Sequence, residues 1–281
     1  MTTRRYAESS PASVMPWDDP GGGVTTAERP DPNRLGGLAW TRRTGGRLTR
    51  RERARLLAAI GRGQWDNLLG RTKLAVGWLP PAAANVDLDT FAIPDSRFAR
   101  EAEAACAELP PGLIGHSYRT WFFGNALAAV DGTELDRELF YCGSLLHDHG
   151  IVTPTPGQDF TVRSAERTLA AALAADVSPE RADLLADGIC AHLTPGIEIE
   201  RDGSLGAYIQ WGAMVDGAGL RSWDVAPEVR GEVLRRHPRD GFTKELVAMV
   251  RSEAAAVPAG RFDLLRKCGM TLAVRLAPYP S

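Results

Sequence analysis

Five side chains of the types that hold a divalent cation stand where a helical period would turn them inward: His116, His147, Asp148, His192 and Asp216. Neutral imidazole nitrogens and ionised carboxylates are the ligands that zinc and its first-row neighbours accept. A cation bound in this way activates water near neutral pH, so the chemistry on offer is hydration or hydrolysis. Their spacing turns them inward. His116, Thr120, Phe123 and Leu127 follow one another at steps of four, three and four, one stripe of an α-helix. Phe140, Gly143, Leu146 and His147 make a second inner stripe, with Asp148 rotated about 100° from its neighbour so that both can border one cavity. Leu185, Ile189 and His192 share a third, and Leu205, Ile209, Gly212 and Asp216 a fourth. A buried carboxylate is costly unless it is paired or coordinated, and bundle cores are where facing helices assemble metal sites.

The elements that must position these residues read as helices throughout. Thr49 is a plausible N-cap for RRERARLLAAIGRGQW, with Leu56, Leu57 and Ile60 as its buried side. Ser96 to Leu109 reads as helical and stops at Pro110-Pro111. The segment 113–130 carries His116, and Gly150 is expected to supply a left-handed stop after His147 and Asp148. Ser178-Pro179-Glu180 combines an N-cap, a proline at N1 and an acid in the first turn. Gly206, Gly212, Gly217 and Gly219 would let the fourth helix approach a neighbour closely. No alternating β-branched run is long enough for a sheet, and no repeat has a fixed period. The fold class is therefore all-α. Residues 1–46, rich in Pro, Gly, Ser and Thr, are expected to be an irregular N-terminal arm, and residues 47–281 a single helical domain.

Composition limits the partners. Lys and Arg number 33 against 35 Asp and Glu, a formal charge of -2, so the chain as a whole is not built to coat nucleic acid or an anionic membrane, and any charged site must be local. Residues 34–55 hold eight arginines and one acid, Glu52. Aromatics are nearly absent there apart from Trp40, and the stretch reads as a solvated face rather than a nucleic-acid site. No run of apolar residues is long enough to span a bilayer and the first residues lack the apolar core of a signal peptide, so the expectation is a soluble cytoplasmic protein. Cys106, Cys142, Cys190 and Cys268 never form a CxxC pair and are expected to be reduced core residues. A small-molecule substrate is the expected partner, without membrane or nucleic acid, and oligomeric state is open.

His116, the His147-Asp148 pair and Asp216, in that order on successive helices, resemble the H…HD…D signature of the HD superfamily. Within it, the sequence is similar to the cyanamide hydratase-type branch, through IPDSRF, GHSYRTWFFG, YCGSLLHDHG, ICAHL, WGAMVDGAG and RRHPRDGF across about residues 93–275. The resemblance implies an HD-domain helical bundle that holds one divalent metal through His116, His147, Asp148 and Asp216, with His192 nearby. Zinc is the implied ion, and Fe(II), Mn(II) or Co(II) would also suit these ligands. The helix 160–173 carries no histidine, so a second metal is not expected. The implied reaction is addition of a metal-bound hydroxide to a small C–N substrate, a nitrile such as cyanamide, giving urea. His192 is the candidate proton donor, with a structural role orienting a ligand weighed equally, and Asp148 the candidate proton relay. Arg119, one turn after His116, either pairs with a carboxylate such as Asp148 or binds a substrate phosphate, and the second role would suit an HD-type phosphohydrolase acting on a nucleotide or another phosphate ester. His149 and His237 are not expected to reach the cluster, and none of the four ligand positions is missing, which argues against a degenerate binding module.

Overall fold

The computed structural model describes residues 30–280. Among them are thirteen α-helices and no β-strand beyond two isolated bridges. The first, α1 (Leu38–Thr44), lies inside the stretch expected to be irregular: Leu38, Trp40 and Thr41 are buried, and the backbone N–H of Leu38 donates to the buried Asp187. The expected arm therefore runs too far by at least this helix, and its residues 1–29 lie outside the described part of the chain. With only seven residues in a Gly- and Arg-rich context, such a helix is too short to show a hydrophobic period.

Helix α2 (Arg50–Ala75) opens on Thr49, which with Glu52 forms a reciprocal capping box. Leu56 is buried, but Leu57, expected beside it, is exposed. Then come α3 (Arg97–Cys106), α4 (Pro111–Asp131) and α5 (Arg137–Leu146), followed by α6 (Phe160–Ala174), α7 (Pro179–Ala191) and the single turn α8 (Ile199–Asp202). The rest of the chain forms α9 (Ser204–Ala218), α10 (Pro227–Arg236), α11 (Phe242–Ala256), α12 (Arg261–Lys267) and α13 (Met270–Arg275). One continuous apolar core runs from Leu38 to Val274 through α3–α7, α9 and α11. Cys106, Cys142 and Cys190 lie in it, and Cys268 is half-buried. No helix of the described residues is long and apolar enough to cross a membrane.

Glycine sets the contact that matters most. A Cβ on Gly212 of α9 would stand 2.4 Å from the carbonyl oxygen of Thr120, and one on Gly124 of α4 would stand 2.9 Å from the carbonyl oxygen of Tyr208. The two helices thus run antiparallel with their backbones touching, Gly124 opposite Tyr208 and Thr120 opposite Gly212. One turn further in the same register, His116 meets Asp216. Gly206 packs in the same way on Gly188 of α7. Gly217 has no such neighbour, and Gly219 instead ends α9 in the left-handed conformation. Gly150 also corrects the expectation. Its φ is not positive; it is small because a Cβ would strike the backbone of Phe160 at 2.3 Å.

The start of α6 is tied to α11, because Glu253 accepts the N–H of Phe160 and pairs with Arg163 at 2.7 Å. Burial pushes the Glu253 carboxyl up to about 7, against the pull of Arg163.

Gly212→Ala should lower the stability of the fold by about 1–3 kcal/mol, while Gly231→Ala on α10, where a Cβ meets nothing within 4 Å, should raise it by ~0.5–1 kcal/mol. Urea unfolding of the two variants beside the parent protein checks both signs. The folded state holds the Glu253 proton more tightly than the unfolded one, so stability should fall as pH rises from about 4.5 to about 7. Glu253→Gln should remove on the order of 1–3 kcal/mol of that fall, read from urea midpoints at the two ends of the window.

Candidate metal centre

Two of the histidines stand at helix C-termini. His147 is the C-cap of α5 and His192 the C-cap of α7, each just past the last residue of its helix. The last carbonyls of a helix lack intrahelical partners and carry the negative end of its dipole. Each ring uses that: His147 Nδ1 lies 2.9 Å from the carbonyl of Ser144, and His192 Nδ1 2.5 Å from that of Ile189. A carbonyl only accepts, so both rings carry a proton on Nδ1, and in the neutral ring Nε2 is then the nitrogen with the free lone pair. His116, on α4, reaches the same state differently. Its Nδ1 lies 2.6 Å from Oδ2 of Asp216, which takes that proton as a hydrogen bond.

The three Nε2 atoms converge on Asp148, the residue after the α5 C-cap. Its Oδ2 lies 3.5 Å from His116 Nε2 and 3.4 Å from His147 Nε2, and its Oδ1 lies 3.6 Å from His192 Nε2. His147 Nε2 is fully buried and has no hydrogen-bond partner. One ligand atom from each of His116, His147 and Asp148 lies within 4.8 Å of the others. Ligands about 2.0–2.1 Å from a tetrahedral zinc ion stand about 3.3–3.4 Å apart, so the spacing fits a first-row cation better than it fits direct hydrogen bonds. The C-termini of α5 and α7 end at cluster residues, and the negative end of a helix dipole favours positive charge nearby.

Charge inside the cluster is balanced by burial and pairing. Burial would raise the Asp148 carboxyl, but His147, His192 and His116 hold it well below the usual carboxylate range. Burial pushes His116 and His192 below the ordinary imidazole range despite Asp216 and Asp148. Burial acts the same way on His147, where the adjacent Asp148 outweighs it and leaves the group raised. Phe242 stacks on the His116 ring at 4.7 Å, and Phe160 meets His192 edge-on at 5.9 Å. Two of the three imidazoles are thus covered by aromatic rings.

Asp216 differs from its expected place. It does not join the other three, because both its oxygens are engaged behind His116: Oδ2 by the His116 ring and Oδ1 by Nε of Arg119 at 2.8 Å, with Nε of Arg239 3.5 Å away. Burial would raise its carboxyl, but Arg119, His116 and Arg239 draw it down to about 2. Its position is that of the carboxylate that fixes a ligand histidine's tautomer and angle. Arg119 is likewise redirected. It pairs with Asp216 and not with Asp148, donates to the carbonyls of His237 and Pro238, and is wholly buried, so it presents no fork to a phosphate. His149 turns away to Glu108, and the His237 ring stacks on Tyr118.

Sequence reasoning missed Arg239, Phe242 and Gln210. Arg239 and Phe242 lie in the RRHPRDGF stretch, which had no role until α11 was seen to cap the His116 ring. Gln210, whose amide holds the carbonyls of His192 and Thr194, sits two residues before Gly212 and carried no signal of its own.

Removing Asp216 would strand two buried guanidinium groups. Asp216→Ala should therefore cost about 3–5 kcal/mol of stability, more than His192→Ala, and the order of the two urea midpoints checks this.

No protein-family model matches the chain, and no curated protein is detectably similar to it. The likeness to HD proteins thus rests on the motif residues alone.

Proposed function

We propose that the protein is a metal-dependent hydratase or hydrolase of the HD type, acting on a small uncharged C–N substrate such as cyanamide. The observation that carries this reading is the convergence of three imidazole Nε2 atoms on the buried Asp148 carboxylate, with the Phe242 and Phe160 rings against two of them. His116, His147 and Asp148 would hold the cation, with His192 beside them. When bound, such an ion supplies Lewis acidity, polarising the ligand it shares with the substrate side. Zinc fits best, and Fe(II), Mn(II) or Co(II) would accept the same donors.

The chain's own groups supply the proton transfers. Water adds its oxygen to the nitrile carbon while one electron pair of the C≡N bond moves to nitrogen. The proton released by the water passes along Asp148 Oδ1 to His192 Nε2, because an imidazole is intrinsically a stronger base than a carboxylate. His192 then returns the proton to the nitrogen, and tautomerisation gives the amide, which for cyanamide is urea. This role reverses the order expected for His192. With its Nδ1 proton held by Ile189, Nε2 must receive a proton before it can give one. Asp216 and Arg119 act behind His116 and keep its Nε2 aimed at Asp148.

A neutral substrate is favoured by where the charges lie. The arginine closest to the cluster in sequence is committed to Asp216, and the surrounding rings are aromatic. The test is a metal assay joined to a turnover screen. The purified protein should carry about one equivalent of a first-row metal, reduced at least tenfold in His147→Ala. It should hydrate cyanamide or small nitriles, with His192→Ala keeping most of the metal and losing about 10²–10⁴-fold in rate. Phosphate release from nucleotides without nitrile hydration would contradict the reading.

A further inference from the structure

Helix α2 has two apolar faces. One packs on the body, through Leu56 and Ala59 and through Gly70, whose missing Cβ makes room for the Trp223 ring. The other points away from it. Leu57, Trp65, Leu68 and Leu69 fall within an arc of about 120° on the outer side, and all four are exposed, Trp65 at 62%. Val76 and Trp78, just past the helix end, are also exposed, with Lys73 seated over the Trp78 ring at 4.3 Å. Among the described residues nothing covers this strip, which follows a helix about 39 Å long.

The charges beside the strip are predominantly positive. At 100° per residue, Arg55, Arg62 and Lys73 line one edge, with Asp66 next to them, Arg53 and Arg71 line the other, and Arg50 and Arg51 stand at the N-terminal end of the strip. In all, α2 carries seven basic residues against Glu52 and Asp66, a formal +5 within a chain of -2. Arg55 and Arg62 also border a cleft of about 320 Å³ between α2 and the Thr194–Arg201 segment. Arg34 and Arg201, on its other side, are tied to Asp187 and Asp202, whereas Arg55 and Arg62 form no ion pair among the described residues.

Three kinds of occupant would meet this face differently. A second copy of α2 would set +5 against +5. A nucleic acid would want its cations at the centre of the contact, and here the centre is Trp and Leu. An anionic bilayer surface takes this pattern directly, with apolar side chains down the middle and cations along both edges. We propose that α2 lies flat on an anionic phospholipid surface, with the Leu57, Trp65, Leu68 and Leu69 strip among the acyl chains and Arg55 and Arg62 on the lipid phosphates. The cleft they border gives a headgroup room beside the helix. Such binding is peripheral and reversible, and it places the metal centre beside a membrane without inserting the chain.

Cosedimentation of the full chain with large vesicles tests this. The protein should pellet with vesicles of phosphatidylcholine mixed with phosphatidylglycerol, stay in solution with phosphatidylcholine alone, and be released by added salt. Arg55→Gln with Arg62→Gln should weaken the binding about fivefold for each arginine removed. Trp65→Ser with Leu68→Ser should abolish it, and since all four side chains are exposed, each variant should keep the parent's circular dichroism and melting temperature. The proposal is overturned if the parent ignores anionic vesicles, if it binds both lipid mixtures alike, or if the Trp65/Leu68 variant still pellets. It is also overturned if light scattering finds a dimer that this variant splits, which would give the strip to a second copy of the chain.

Discussion

Each of the three clustered imidazoles has its Nδ1 proton already held, by the Ser144 carbonyl, the Ile189 carbonyl or the Asp216 carboxylate. That single constraint decides what the centre can do. A neutral imidazole has one donor and one acceptor nitrogen, and once the donor is anchored the acceptor must face the other way. Here the other way is Asp148 in every case. Two of the three anchors cost the fold little, because the carbonyls concerned belong to last turns that need a partner in any event. The third needs a buried carboxylate, and the structure goes to some length to keep it there.

Asp216 is held in place by two buried arginines and a helix crossing. Arg119 and Arg239 neutralise the carboxylate, while α11 brings Phe242 across the His116 ring. The crossing of α4 and α9 at Gly212 and Gly124 sets the register in which His116 and Asp216 meet. A side chain at either glycine would part the two helices and carry the pair with them. The packing of the core and the aim of one imidazole are thus the same structural fact.

Much of this was legible in the residue types and their period. The stripes ending at His116, His147, His192 and Asp216 were visible as helical repeats with a polar residue in an apolar position, and the all-α reading followed from the same repeats. Three things were hidden. Periodicity says which face a residue occupies, but not that a histidine is the C-cap and turns back on its own helix, so the anchoring of His147 and His192 could not be read. It also says nothing of which of two inward carboxylates meets which cation. Arg119 and Asp216 are far apart in the chain, and only the α4/α9 register pairs them. Lastly, averaging conceals local charge. A near-neutral chain contains a helix of +5, and Leu57, placed inside by its neighbour Leu56, belongs to the opposite face.

The most direct measurement of the central claim is the X-ray absorption spectrum of the zinc-loaded protein. It should show nitrogen and oxygen neighbours at about 2.0–2.1 Å with the outer-shell scattering of at least two imidazole rings, and that scattering should weaken in His116→Ala. A spectrum of oxygen neighbours alone, or one that His116→Ala leaves unchanged, would mean that these histidines are not arranged around an ion.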